Sequence, residues 1–283
     1  MSTPSEISYA WAAPSPFGQH VIRAVENMTG RPRLLRMARD YEREVAEGRD
    51  FWAVMRDRYR MRLDMAEGSP ARIPAEGPVV VVANHPFGIL DGLAMGCLLS
   101  MRRSDFRIVA HSVFRRAPEV DRHLLPIDFG GTRAAHALNL STRRAALAHL
   151  AEGGAIGIFP GGAVSTATTP FGQPVDPRWK TFTAKLALHP GVQVVPLHFE
   201  GQNSRLFQAA THVSQTLRVA LLIREFRAAI ARPVRLSIGE AIPRAAIEVR
   251  RGDPVALMDF LRDTVYGLSG RPFAHLGYGW NGE

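Results

Sequence analysis

Cysteine is almost missing from this chain of 283 residues: Cys97 is the only one. A single thiol excludes an internal disulfide and any zinc cluster built on several cysteines, and it fits a reducing compartment without demonstrating one. Long apolar runs are missing too. No stretch of about 18 or more apolar residues occurs, so no transmembrane helix is expected. The opening MSTPSEISYAWAAPSPFGQ lacks the basic start and apolar core of a signal peptide. The chain is expected to be soluble or to lie on a membrane without crossing it. Several catalytic signatures are absent as well. There is no G-x-S-x-G nucleophile elbow and no H-E-x-x-H zinc helix. None of the named signatures of nucleic-acid modules occurs. Neither a metal nor a nucleic-acid partner is expected.

What is present points to a folded chain. Hydrophobic residues make up 46% and charged residues 22%, enough for one large core and too apolar for general disorder. Lys and Arg number 35 against 26 Asp and Glu, a formal charge of +9, and arginine greatly outnumbers lysine. Charge alone favours an anionic partner without choosing among nucleic acid, a phosphorylated substrate and an anionic lipid surface.

Residues 1–16, rich in Ser, Pro and Ala, read as a loose lead. Helical patterns follow in GQHVIRAVENMTG, RLLRMARDYEREVAEG and RDFWAVMRDRYRMRLD, with breaks at Gly30-Arg31-Pro32 and Gly48. This helical segment, 1–70, is either a layer packed on the main domain or a basic amphipathic surface resting on lipid headgroups. From about residue 77 short β-branched runs alternate with helical patterns. Strands are expected at 78–83, 106–111, 124–128, 155–159, 192–199 and 233–239. Helices are expected at 91–101, 133–151, 181–189 and 204–229. The pattern predicts an α/β fold over 71–283, a mixed, largely parallel sheet flanked by helices. A late helix ends at Gly270, and the tail RPFAHLGYGWNGE fits no element class.

In α/β sheets ligands gather at the carboxyl ends of the strands. Three segments fall there: NHPFGILDG, PGGAVS and EGQNS. A histidine can take a proton from a hydroxyl while a carboxylate orients its ring and stabilises the imidazolium. His85 and Asp91 are residues of those types. Six positions apart they would not share a helix face, but Pro86 and Gly88 argue for a turn that folds Asp91 back. The plainer reading has Asp91 capping the following helix and Asn84 bonding a turn. In FPGGAVS, Gly161 and Gly162 leave backbone N–H groups open to an anion or oxyanion, and Ser165 adds a hydroxyl. The alternative is a plain strand-ending turn. His198 reads as a core histidine, and Pro196 as a bulge or edge position. Arg133, Arg178, Lys180, Lys185 and Arg205 are candidate anion contacts.

Taken in order, NHPFGILDG, LLPIDFGGTR, FPGGAVS and VVPLHFEG resemble the four blocks of the glycerolipid acyltransferase family, the lysophosphatidate and lysophospholipid acyltransferases. The resemblance covers about residues 78–240. It implies a 1-acylglycerol-3-phosphate acyltransferase-like O-acyltransferase. Such an enzyme moves a fatty acyl group from acyl-CoA or acyl carrier protein, as co-substrate and with no other cofactor, to the hydroxyl of a lyso-lipid. His85 would be the general base and Asp91 its orienting carboxylate. Arg133 would grip the acceptor's anionic head, and Phe159, Pro160, Gly161 and Gly162 would line the acceptor site with Ser165 and Lys180. Pro196 would match the proline of the fourth block. Cytoplasmic placement, peripheral to the inner face of the cell membrane and touching anionic lipid, goes with that reading. Two departures stand out. Five residues separate His85 from Asp91 instead of four, a spacing similar to bacterial branches written HP-x-G-x-L-D. Gly161 stands where the family has a glutamate. FEGQNSRLFQ also resembles the ornithine-lipid and hemolysin-type branch, which would make the acceptor a lyso-ornithine lipid. The competing expectation is a non-catalytic binder of anionic lipid derived from an acyltransferase.

Overall fold

The computed structural model describes residues 8–10, 13, 15–116, 118–230, 232–271, 273 and 277–280. Much of the expected lead and tail lies outside the described residues. Among these residues seven strands form one sheet: β1 (Leu63–Glu67), β2 (Val79–Ala83), β3 (Phe106–His111), β4 (Leu124–Ile127), β5 (Ala155–Ile158), β6 (Gln193–Phe199) and β7 (Val234–Ile238). Their order is β1-β7-β6-β2-β5-β3-β4. Every neighbouring pair is parallel except β6 and β7. The expected mixed, largely parallel sheet is what forms.

The four consecutive valines of β2 explain its central place. A strand covered on both faces needs apolar side chains at every position, not at alternate ones. Val79 and Val81 enter one apolar cluster, Val80 and Val82 the other, as the two-residue period of a strand requires. The first cluster is roofed by α2 (Arg31–Met37), α3 (Tyr41–Ala46), α4 (Phe51–Arg58), α5 (Ile89–Ser100) and α10 (Gln215–Ala229), which send in Leu34, Tyr41, Trp52, Leu98 and Phe226. The second is covered by α7 (Arg133–Ala151), α8 (Phe182–Ala187) and α12 (Pro254–Gly267), through Leu150, Leu186 and Leu261. Helices α2, α3 and α4 thus pack on one face of the sheet. The preceding helix α1 (Pro16–Thr29) lies along α10, with Ile22 buried against Val219 and Ala220.

At the contact of α4 with α5, Gly96 faces Trp52: a Cβ there would stand 2.1 Å from the indole ring. The Cys97 thiol beside it donates to the Trp52 carbonyl at 3.3 Å and is buried.

The structure departs from expectation at four places. Residues 63–67, inside the segment 1–70 expected to be helical, form edge strand β1 and pair with β7. The pattern RLLRMARDYEREVAEG is two helices, α2 and α3, split before Asp40, whose φ of 60° is left-handed. The helix expected over 204–229 breaks at Ser214 into α9 (Arg205–Val213) and α10, because the Ser214 hydroxyl caps the Leu217 N–H. Pro196 lies in an interior strand, not at an edge. It is tolerated where the β7 ladder stops, since that ladder begins only at Leu197. No helix among the described residues is long and apolar enough to cross a membrane.

Candidate active site

The chain leaves β2 through Asn84. Its side-chain amide donates to the Phe199 carbonyl at 2.9 Å and accepts from the Phe199 N–H at 2.7 Å. Asn84 therefore bridges two strand ends, where the sequence suggested a turn, and it anchors His85 at the carboxyl edge of the sheet. Beyond His85 the backbone reverses through Gly88, at a φ of 86° that favours glycine and where a Cβ would stand 3.2 Å from Val164. That bend absorbs the five intervening residues. His85 Nδ1 comes within 3.0 Å of Asp91 Oδ2.

The same Asp91 oxygen accepts from the Phe87 and Gly88 N–H groups at 2.8 and 2.9 Å. Asp91 is not the N-cap of the helix but its third residue, behind Gly88; from there it satisfies amides at the start of α5 and also faces the histidine. The His85 Nδ1–H lies off the line of an aligned hydrogen bond despite its short distance, a looseness common in catalytic pairs before substrate binds. Burial pushes the Asp91 carboxyl above its ordinary pKa, while His85 and the two amides pull the other way. The His85 ring stacks on Phe159 with centroids 4.3 Å apart. Its side chain is 18% exposed although Nδ1 is buried, so the exposed part is the rest of the ring.

A second buried carboxylate, Asp176, was not singled out from sequence. Its Oδ1 accepts from the His85 N–H at 3.1 Å and from the Ser165 hydroxyl, and its Oδ2 from the Trp179 indole at 2.9 Å. The Ser165 N–H in turn donates to the His85 carbonyl at 2.8 Å. His85 is clamped by both of its own backbone polar groups. Ser165 is therefore not an open donor lining an acceptor site: it is buried and its hydroxyl is committed to Asp176. The only sequence signal for Asp176 is an acid set between Pro174 and Pro177. The described tail closes over this loop, with the Gly279 N–H on the Asp176 carbonyl and the Trp280 N–H on that of Thr166, at 2.9 and 3.1 Å.

The third block makes a turn beside the His85 ring, on which Phe159 stacks. Gly162, at φ 68°, donates its N–H to the Phe159 carbonyl at 3.0 Å, so it is not free for an oxyanion. The Pro160 carbonyl accepts from the Lys180 N–H at 3.0 Å. A Cβ on Gly161 would stand 3.3 Å from that of Asp176. The space where the family's glutamate would begin is already narrowed by another carboxylate-bearing side chain. The Lys180 ammonium sits 4.6 Å from the Phe129 ring centroid, and no ion pair involves it among the described residues. Partial burial lowers its pKa. Arg133 opens α7, exposed and without an ion pair among the described residues. Phe129, four residues before it, ties that loop to Lys180, but no described contact joins Arg133 to His85.

The remaining candidates lie apart. Arg205 donates to the Phe171 and Gly172 carbonyls, and the Arg178 guanidinium covers the Tyr278 ring. His198 is a core residue: it packs edge-on against Tyr266 at 5.7 Å, and burial lowers its pKa to about 4. Glu200 pairs with Arg235 and Arg271 at 2.9 and 3.0 Å. Among the described residues no group of three or more His, Cys, Asp or Glu side chains could hold a metal ion.

A histidine with its inner nitrogen 3.0 Å from a buried carboxylate thus stands at the carboxyl end of a central parallel strand, where α/β folds gather their ligands. The chain belongs to the acyltransferase family, whose model matches residues 51–260. It is 27% identical over 204 residues to the lyso-glycine lipid O-acyltransferase of Phocaeicola vulgatus, covering 69% of this chain and 70% of that one. It also matches the crystal structure of the 1-acyl-sn-glycerophosphate acyltransferase PlsC from Thermotoga maritima. That match has a TM-score of 0.47 and 16% identity, over 93% of this chain and 86% of the other.

Proposed function

We propose that this acyltransferase moves a fatty acyl group from an acyl thioester, acyl-CoA or acyl carrier protein, to the hydroxyl of a lyso-lipid. The observation that carries the reading is the 3.0 Å approach of His85 Nδ1 to Asp91. With Nδ1 held by Asp91, the other ring nitrogen is the one that accepts the hydroxyl proton. The freed oxygen attacks the thioester carbonyl, Asp91 stabilises the imidazolium, and the C–S bond breaks as the tetrahedral intermediate collapses. The departing thiolate recovers the proton from His85. No enzyme nucleophile is needed.

Lys180 and Arg133, cations without carboxylate partners among the described residues, suit the acceptor's polar head. The Gly161 N–H, which has no backbone partner among the described residues, suits the oxyanion. The lyso-lipid acceptor is supported by the relative that acts on lyso-glycine lipid. Peripheral contact with an anionic membrane at its cytoplasmic face is supported by the basic surface and by exposed Phe171, Leu206 and Val213, which gather around the first turn and end of α9.

Thiol release on mixing acyl-CoA or acyl carrier protein with lysophosphatidate, lyso-ornithine or lyso-glycine lipid tests the reading. His85→Ala is expected to lower turnover about 10²–10⁴-fold with an unchanged fold. Near-normal transfer by that variant would overturn the mechanism, and lipid binding with no turnover by the unaltered chain would make it a binder.

A further inference from the structure

A cavity of about 890 Å³ opens between the N-terminal helices, the start of β1 and the last turns of α10. Neither His85 nor Asp91 lines it, but six arginines do, against one carboxylate, Asp57. Asp57 is already bonded by Arg49 and Arg56. Arg224 is held on Glu225, and Arg227 on the Thr29 carbonyl. Arg33, Arg60 and Arg62 have no side-chain hydrogen bond or ion pair among the described residues. Like charges gathered without counter-charge repel one another, and guanidinium forks match phosphate oxygens in geometry.

Tyr59 also lines the cavity, its ring packed edge-on to Phe226 at 5.1 Å.

We propose that this cavity binds a phosphate-bearing ligand. The volume suits a small molecule or a lipid headgroup. α10 links it to the His85 loop. Leu222 lies 3.7 Å from where a Gly88 Cβ would stand, and Arg224 and Arg227 follow about 3–8 Å further along the helix axis. Two sources share the chemistry: the nucleotide phosphates of a thioester donor and the phosphodiester headgroup of a membrane lipid. Assigning the site to the donor rests on the proposed acyl transfer; the phosphate site itself does not.

The test is calorimetric titration of the full chain with adenosine 3′,5′-bisphosphate, beside co-sedimentation with vesicles of phosphatidylglycerol in phosphatidylcholine. Saturable, salt-weakened binding of at least one probe is expected, with the double substitution Arg60→Gln and Arg62→Gln weakening it at least tenfold. His85→Ala is expected to bind like the unaltered chain, so loss of transfer and loss of the phosphate site read differently. Uptake of the nucleotide assigns the site to the donor, and uptake of vesicles alone assigns it to the lipid. Binding of neither probe, or equal binding by the double variant, overturns the proposal. If the double variant melts early, Arg33→Gln carries the test, since Arg33 lines the cavity, is exposed and has no side-chain bond among the described residues. A threefold or greater loss of affinity supports the site, and unchanged affinity overturns it.

Discussion

At the scale of single residues, two buried carboxylates divide the handling of His85. Asp91 meets its ring and Asp176 holds its backbone. Asp176→Asn keeps the shape but turns one accepting oxygen into a donor facing an N–H or hydroxyl. It is expected to cost about 1.5–3 kcal/mol by urea unfolding, and to lower kcat more than KM because the histidine proposed as the base loses its placement. Ser165→Ala, which removes one donor and leaves the carboxylate, is expected to cost only about 1 kcal/mol. Equal losses from both would show that the clamp is not centred on Asp176. His85 and Asp91 were legible in sequence because a turn between a strand and a helix brackets them. Asp176 was not, because its bonds to the His85 site reach residues 11 and 91 positions away in the chain and PVDP carries no chemistry of its own.

Between elements, the closest fit described is that of α4 on α5, where Gly96 admits the Trp52 ring. Gly96→Ala would raise helix propensity at an exposed site, yet here the added methyl meets the indole. A loss of about 1–3 kcal/mol is expected in chemical unfolding, and a gain in stability would contradict the packing. Five of the six strands read from sequence are interior ones, whose near-continuous β-branched and apolar runs mark burial on both faces; the sixth, β4, is an edge strand that its apolar run LLPI still gave away. β1, LDMAE, escaped notice because an edge strand needs little apolar surface and this one carries two acids. The break at Ser214 was hidden for another reason. Apolar periodicity runs on through both helices, and only the serine's hydroxyl, acting as a cap, ends one and starts the next.

For the molecule as a whole, acid is the expected weakness. Burial holds His111, His123, His149 and His198 below the ordinary histidine pKa, His198 at about 4. Unfolding frees each to bind a proton near pH 6.5. Between that value and about 4 the unfolded chain takes up more protons than the folded one, so stability is full near neutrality and falls as pH drops through the window. His198 alone would account for roughly 3 kcal/mol. Thermal melts from pH 7.5 to 4.5 are expected to show this decline, with a flatter slope for His198→Gln; parallel slopes would remove His198 from the account. The buried thiol under Trp52 has a practical consequence at the same scale. Burial pushes the Cys97 pKa up to about 12, so it offers almost no thiolate to maleimides or oxidants at neutral pH. A cysteine introduced at exposed Val213 or Phe171 would be the one reactive handle on the molecule, ready for a dye or spin label without first engineering a cysteine-free background.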